Sequence, residues 1–197
     1  MKETILYLIR HGETDWNVQR RLQGHQDVPL NAKGIQQAEQ VARRLANERL
    51  DAIYSSDLQR ARMTAESIAR YQRQHVILHP GLRERYYGIF EGRLWEEIAS
   101  FRDGFRSHQL TAEGVERWED MQRRAVDTLM EIVHRHVGER VAVVSHGGTI
   151  NAILAYIEGS PEPRYKIANT SVTCVTHRTG KWAIVWMNDV TRWETIE

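Results

Sequence analysis

Two apolar runs, each stopped by a histidine, do most to limit what this chain can become. Ile5-Leu6-Tyr7-Leu8-Ile9 runs unbroken into Arg10 and His11, and Val141-Ala142-Val143-Val144 runs into Ser145 and His146. A strand without polar alternation has to be covered on both faces, as a central strand of an α/β sheet is. The intervening segments supply the covers. Asn31 is placed to cap a helix whose inward stripe is Ile35, Ala38, Val41, Ala42 and Leu45. Ala52-Ile53-Tyr54 reads as a second strand, after which Ser56 or Asp57 caps a helix with Leu58, Ala61, Ala65, Ile68 and Ala69 inward. Residues 75–78 form a weaker third strand. A long amphipathic helix runs from Trp118 to near Gly138, and Gly147-Gly148 opens another. Residues 171–176 and 182–187 read as two closing strands joined at Thr179-Gly180, able to pair antiparallel. The expected fold is a three-layer α/β/α arrangement, with a mostly parallel mixed sheet and helices on both faces. No repeat or linker divides residues 1–197. One domain is expected, with a less regular stretch at about 88–117 as a small cap.

Composition then removes whole classes of function. The 27 Lys+Arg and 26 Asp+Glu leave a formal net charge of +1, without the cationic excess of a nucleic-acid binder. No apolar stretch approaches the length of a membrane span, and Ile5–Ile9 is too short for a signal-peptide core, so a cytoplasmic protein is expected. The one cysteine, Cys174, makes a disulfide scaffold or a thiolate zinc site impossible. Only four of the 27 cationic residues are lysine, leaving 23 arginines. Most belong to a solvated surface, but arginine is also the side chain that grips phosphate with two parallel N–H groups.

Ligands in open α/β sheets gather beyond the carboxyl ends of strands. Arg10-His11-Gly12-Glu13-Thr14 and Ser145-His146-Gly147-Gly148-Thr149 both fall there. If the two strands are parallel neighbours, His11 and His146 meet at one edge. Each is followed by glycine, which lets backbone approach a ligand, and a helix start offers unpaired N–H groups to an anion. There is no GxxxxGK[ST] loop, no His-Glu-x-x-His and no Gly-x-Ser-x-Gly elbow. Histidine, arginine and carboxylate remain, and together they suit phosphoryl transfer without a metal. A neutral imidazole can attack phosphorus, guanidinium groups can hold the phosphoryl oxygens, and a carboxylic acid can protonate the leaving alcohol.

Leu8-Ile9-Arg10-His11-Gly12-Glu13-Thr14 resembles the signature of the histidine phosphatase superfamily, the phosphoglycerate mutase-like proteins. The likeness continues in order. Trp16-Asn17, Leu22-Gln23-Gly24 and Asp27-Val28-Pro29-Leu30-Asn31 follow. Tyr54-Ser55-Ser56-Asp57-Leu58-Gln59-Arg60-Ala61, Leu82-Arg83-Glu84-Arg85-Tyr86-Tyr87-Gly88 and Ser145-His146-Gly147-Gly148 come next. Asn169-Thr170-Ser171-Val172 resembles a late family segment. The resemblance is to compact bacterial phosphatase-type members. It implies His11 as the nucleophile that becomes phosphohistidine, and Glu84 as proton donor and later base for water. Arg10, Arg60 and His146 would bind the phosphoryl group with Asn17, while Gln23, Gly24 and Gly147 contribute to the phosphate or substrate end. It implies no cofactor and no metal, and a small phosphorylated metabolite as substrate, handled by a monomer or homodimer. Glu13 is a candidate for ligand contact or an ordinary acid in the first turn of a helix, Arg83 and Arg85 for a substrate grip or a solvated surface, and Trp95 for packing or the mouth of the site. Arg93, Phe101, Arg102, Phe105, Arg106 and His108 are candidates for the leaving-group pocket.

The expected activity is metal-independent phosphomonoester hydrolysis. One alternative is a bisphosphoglycerate-primed phosphoglycerate mutase, to which the Glu84–Gly88 block is similar; another is a phosphometabolite-binding module without turnover. A mutase must keep water from phosphohistidine, whereas a phosphatase must admit it. The short stretch after Gly92 and the short tail after Asp189 favour hydrolysis.

Overall fold

The computed structural model describes residues 2–98 and 107–190. Six strands form one sheet: β1 (Thr4–Arg10), β2 (Ala52–Ser55), β3 (Val76–Leu78), β4 (Arg140–Ser145), β5 (Val172–Arg178) and β6 (Lys181–Asp189). Their order is β3-β2-β4-β1-β5-β6. β1, β2, β3 and β4 are mutually parallel, while β5 runs antiparallel to both β1 and β6. The sheet is therefore mixed, as expected, and the closing strands do form a hairpin.

The apolar runs occupy its centre. Leu6 and Leu8 of β1 point to one face with Val141 and Val143 of β4, and Tyr7 and Ile9 point to the other with Ala142 and Val144. On the first face lie α4 (Trp118–Arg135) and α5 (Gly147–Glu158), through residues such as Leu129, Ile132, Ile153 and Leu154. On the second lie α2 (Ala32–Arg44) and α3 (Gln59–Gln72), through Val41, Ala42, Ala61, Ala65 and Ile68. A short α1 (Asp15–Val18) follows β1. Because alternate residues of a strand face opposite layers, the apolar run Ile5–Ile9 of β1 serves both cores at once. Among the described residues, no helix is long and apolar enough to cross a membrane.

Three expectations need correction. Ile35, in the first turn of α2, is half exposed rather than part of its buried stripe, which is Gly34, Ala38, Val41 and Ala42. Neither Ser56 nor Asp57 caps α3. Its first N–H groups are met from outside, where Gln59 N donates to Asp27 Oδ1 at 2.6 Å. Glu13 is no first-turn acid of a helix, since it precedes α1; its carboxylate accepts from Asn31 Nδ2 and Lys33 Nζ and pins the turn that starts α2. Phe101, Arg102, Phe105 and Arg106 lie outside the described residues.

Candidate active site

The register of the two central strands builds the site. Arg10 stands opposite Ser145, so His11 and His146 leave the sheet at the same edge, their ring centroids 5.2 Å apart. Both are buried, with His146 wholly so. His11 Nδ1 lies 2.7 Å from Gly12 O. That carbonyl can only accept, so Nδ1 carries the proton and Nε2 keeps the lone pair. Thr64 of α3 holds the same peptide from the other side. Gly12 N donates to Thr64 Oγ1, which donates in turn to Arg60 O. Gly12 must be glycine because a Cβ there would meet the carbonyl oxygen of Gly34, where α2 packs against the loop.

Burial and two neighbouring cations set the protonation of the histidines. Burial first, then Arg60 and Arg10, hold the His11 pKa well below the ordinary imidazole value. His146 is depressed in the same way, by burial, Arg60, His11 and Arg10. Both imidazoles are therefore neutral at pH 7. Arg60 is itself lowered to about 10 by burial, and so stays charged.

The two guanidinium groups are only partly used by the protein. Arg60 Nη1 and Nη2 donate to Gln26 O and Gly24 O, and Arg10 Nη1 donates to Ile167 O. Their Nε atoms and His146 Nδ1 are buried and make no hydrogen bond. Buried donors are normally paired, since leaving one unmade costs about 1–3 kcal/mol. Two guanidinium donors and one ring nitrogen, all unpaired and close to a neutral histidine, are a set that the oxygens of an anion can satisfy.

Glu84 faces this set and is close enough to help hold the positive charge on both Arg10 and Arg60. Arg85 N and Gly148 N each donate to its carboxylate at 2.9 Å. A Cβ on Gly148 would collide with the Glu84 carboxylate, so glycine at the start of α5 is what admits it. Gly147 lies beside Arg10 Nε. Asn17 closes a reciprocal cap with Thr14, its Oδ1 accepting from Thr14 N, which leaves the amide NH2 to meet a ligand. Gln23 is buried and accepts from Thr14 Oγ1 at 2.8 Å. Gly24 contributes its carbonyl to Arg60. The nine expected site residues are thus brought near one another at the end of β1 and β4.

Several residues outside the nine expected site residues hold this arrangement. Arg124 of α4 makes five hydrogen bonds, to Glu116 (two), Gly81 O, Arg83 O and Glu84 O, and so fastens the loop that carries Glu84. His25 Nε2 lies 2.8 Å from Glu84 O, with its ring against Tyr86. Asn169 Nδ2 donates to His11 O, and Thr170 N donates to Arg10 O. Arg85 is fully buried, donating to Glu116 O and Leu110 O, and Arg83 pairs with Asp57 through two bonds. Both are therefore structural. Trp95 opens a helical turn and is half exposed.

The depressed imidazoles have a consequence for stability. In the unfolded chain a histidine titrates near 6.5. Below that pH the unfolded state binds protons that the native state refuses, so stability falls on acidification, by up to about 1.4 kcal/mol per pH unit for each imidazole. The loss continues until the native pKa is reached. Melting temperature should drop between pH 6.5 and 5, and less steeply in His146→Asn. Equal slopes in the two proteins would contradict the burial assigned to His146.

The chain is similar to known proteins over nearly its whole length. The model of the histidine phosphatase superfamily (branch 1) matches residues 6–190. A metal-independent phosphoserine phosphatase of Arabidopsis thaliana is 39% identical, over 98% of this chain and 84% of that one. Phosphoglycerate mutase-like protein 4 of the same plant is 38% identical, over 96% and 86%. Among solved structures, Bacillus stearothermophilus YhfR superposes with a TM-score of 0.88 at 36% identity, covering 94% of this chain and 97% of its own. The chain belongs to the histidine phosphatase superfamily.

Proposed function

We propose that the protein is a metal-independent phosphomonoesterase that hydrolyses small phosphorylated metabolites through phosphohistidine at His11. The observation that carries the reading is the group of three unpaired buried nitrogens, Arg10 Nε, Arg60 Nε and His146 Nδ1, beside a neutral His11. In the first step His11 Nε2 attacks phosphorus and the ester P–O bond breaks. The leaving oxygen takes its proton from the Glu84 carboxyl. In the second, Glu84 takes a proton from water as the water oxygen attacks phosphorus, and the P–N bond electrons return to Nε2. The donor set holds the phosphoryl oxygens in both steps. Residues 1–197 act here as one domain, with about 88–117 as its cap, and the reaction is placed in the cytoplasm.

The phosphatase-named relative supports hydrolysis, and the mutase-like relative keeps the second reading worth testing. The purified protein should release phosphate from an aryl phosphate at the same rate with and without a chelator. Full loss on chelation would overturn the reading. With 3-phosphoglycerate, free phosphate without 2-phosphoglycerate is expected; isomerisation without phosphate release would establish the mutase instead.

A further inference from the structure

We propose that Ser56 is a positioning residue that fixes His146 in the tautomer carrying its proton on Nδ1, so that the imidazole can donate to the phosphoryl oxygen. The inference rests on the proposed hydrolysis for its purpose, though not for its geometry. Ser56 follows β2, and its N–H continues the ladder to β4 by donating to Val144 O at 3.0 Å, two residues before His146. Its hydroxyl comes within 2.9 Å of His146 Nε2, and both residues are fully buried.

A count of protons decides the direction of that bond. Leu58 N–H donates to Ser56 Oγ at 3.3 Å and occupies one of its lone pairs. If Nε2 carried the imidazole proton, it would take the other. The serine proton would then have no acceptor among the bonds this hydroxyl makes, and Nδ1 would present a lone pair to an incoming anion. If Nε2 is bare, the serine hydroxyl donates to it, every group on that side is paired, and Nδ1–H is left for the ligand. The Nδ1 atom is the one that has no partner within the protein. His11 is fixed in the same proton sense by a different device, the carbonyl of Gly12. One histidine thus offers a lone pair from Nε2 and the other a proton from Nδ1, although both are neutral imidazoles in one pocket.

The test is made on the folded protein labelled with 15N-histidine, using long-range 1H–15N correlation, with His146→Asn serving to assign the resonance. Wild type should show His146 with the proton on Nδ1. Ser56→Ala should lose that preference, whereas Ser56→Thr, which keeps the hydroxyl, should retain it. With an aryl phosphate, kcat should fall roughly tenfold to a hundredfold in Ser56→Ala, the range seen when the hydrogen-bond partner of a metal-ligating imidazole is removed, and Ser56→Thr should recover most of it. A wild-type His146 protonated on Nε2 would overturn the proposal, as would an unchanged tautomer in Ser56→Ala. If Ser56→Ala fails to fold, the wild-type spectrum alone decides. If the tautomer pattern is as expected but wild type hydrolyses no phosphate ester, the proposed activity fails while the role of Ser56 in setting His146 stands.

Discussion

Replacing His11 with asparagine should reduce phosphate release by roughly four orders of magnitude or more, because it removes the atom that bonds to phosphorus. That corresponds to at least about 5 kcal/mol of lost transition-state stabilisation. The substitution is suited to the site. An asparagine NH2 can still donate to Gly12 O, as His11 Nδ1 does, so the loop is kept and the nucleophile is lost. Binding should survive, because Arg10 Nε, Arg60 Nε and His146 Nδ1 belong to other side chains. The variant should therefore bind inorganic phosphate within a fewfold of wild type while failing to take up acid-labile, base-stable phosphate. Near-normal turnover in His11→Asn would refute the covalent mechanism. Loss of phosphate binding together with turnover would mean that His11 serves chiefly to build the donor set.

The second large effect is expected at Glu84, and it should depend on the leaving group. Glutamine keeps one acceptor oxygen, enough for one of the two N–H groups that the carboxylate receives, Arg85 N at Oε1 and Gly148 N at Oε2, and it cannot hand over a proton. An alkyl phosphate, whose alkoxide needs that proton, should lose roughly 100- to 10,000-fold in kcat/KM. A nitrophenyl phosphate departs without help, so phosphorylation of His11 should be nearly normal in Glu84→Gln. Water attack then lacks its base, and the steady state slows. The expected record is a burst of nitrophenol, close to one per protein, followed by a slow phase while phosphohistidine accumulates. Equal losses for alkyl and aryl substrates, with no burst, would place the proton transfer elsewhere.

The sequence made the sheet and one edge of the site legible for a definite reason. An unbroken apolar run such as Leu6–Ile9 has few places to go, and its end point fixes where His11 emerges. His146 follows by the same logic from β4. The pairing of Glu84 with the α5 start was not legible from spacing, since it depends on a loop crossing over to Gly148. Residues that work through backbone carbonyls were the most hidden. Arg124, Thr64 and Asn169 hold Glu84 O, the Gly12 peptide and His11 O respectively, with Thr64 reached through Gly12 N. Carbonyls occur at every position and leave no mark in a sequence. Ile35 shows the opposite failure: an apolar residue at helical spacing entered the expected stripe, yet it sits in the first turn of α2, where Gly34 is buried and Ile35 is not.

The place of β1 also governs how the protein is made. It precedes the other strands of the sheet in the chain, yet its two partners are β4 and β5, built from residues 140–145 and 172–178. A nascent chain carries β1, with its unbroken apolar run Ile5–Ile9, unmatched and with two open edges until residues 140–178 have been translated. At typical elongation rates that interval is roughly ten to thirty seconds. Such a strand is the kind of segment that pairs wrongly with other chains. Pairs as distant in sequence as Ile5 with Arg140 and Ile5 with Thr176 should make this sheet slow to fold, because the long loops between them have to close before the contacts form.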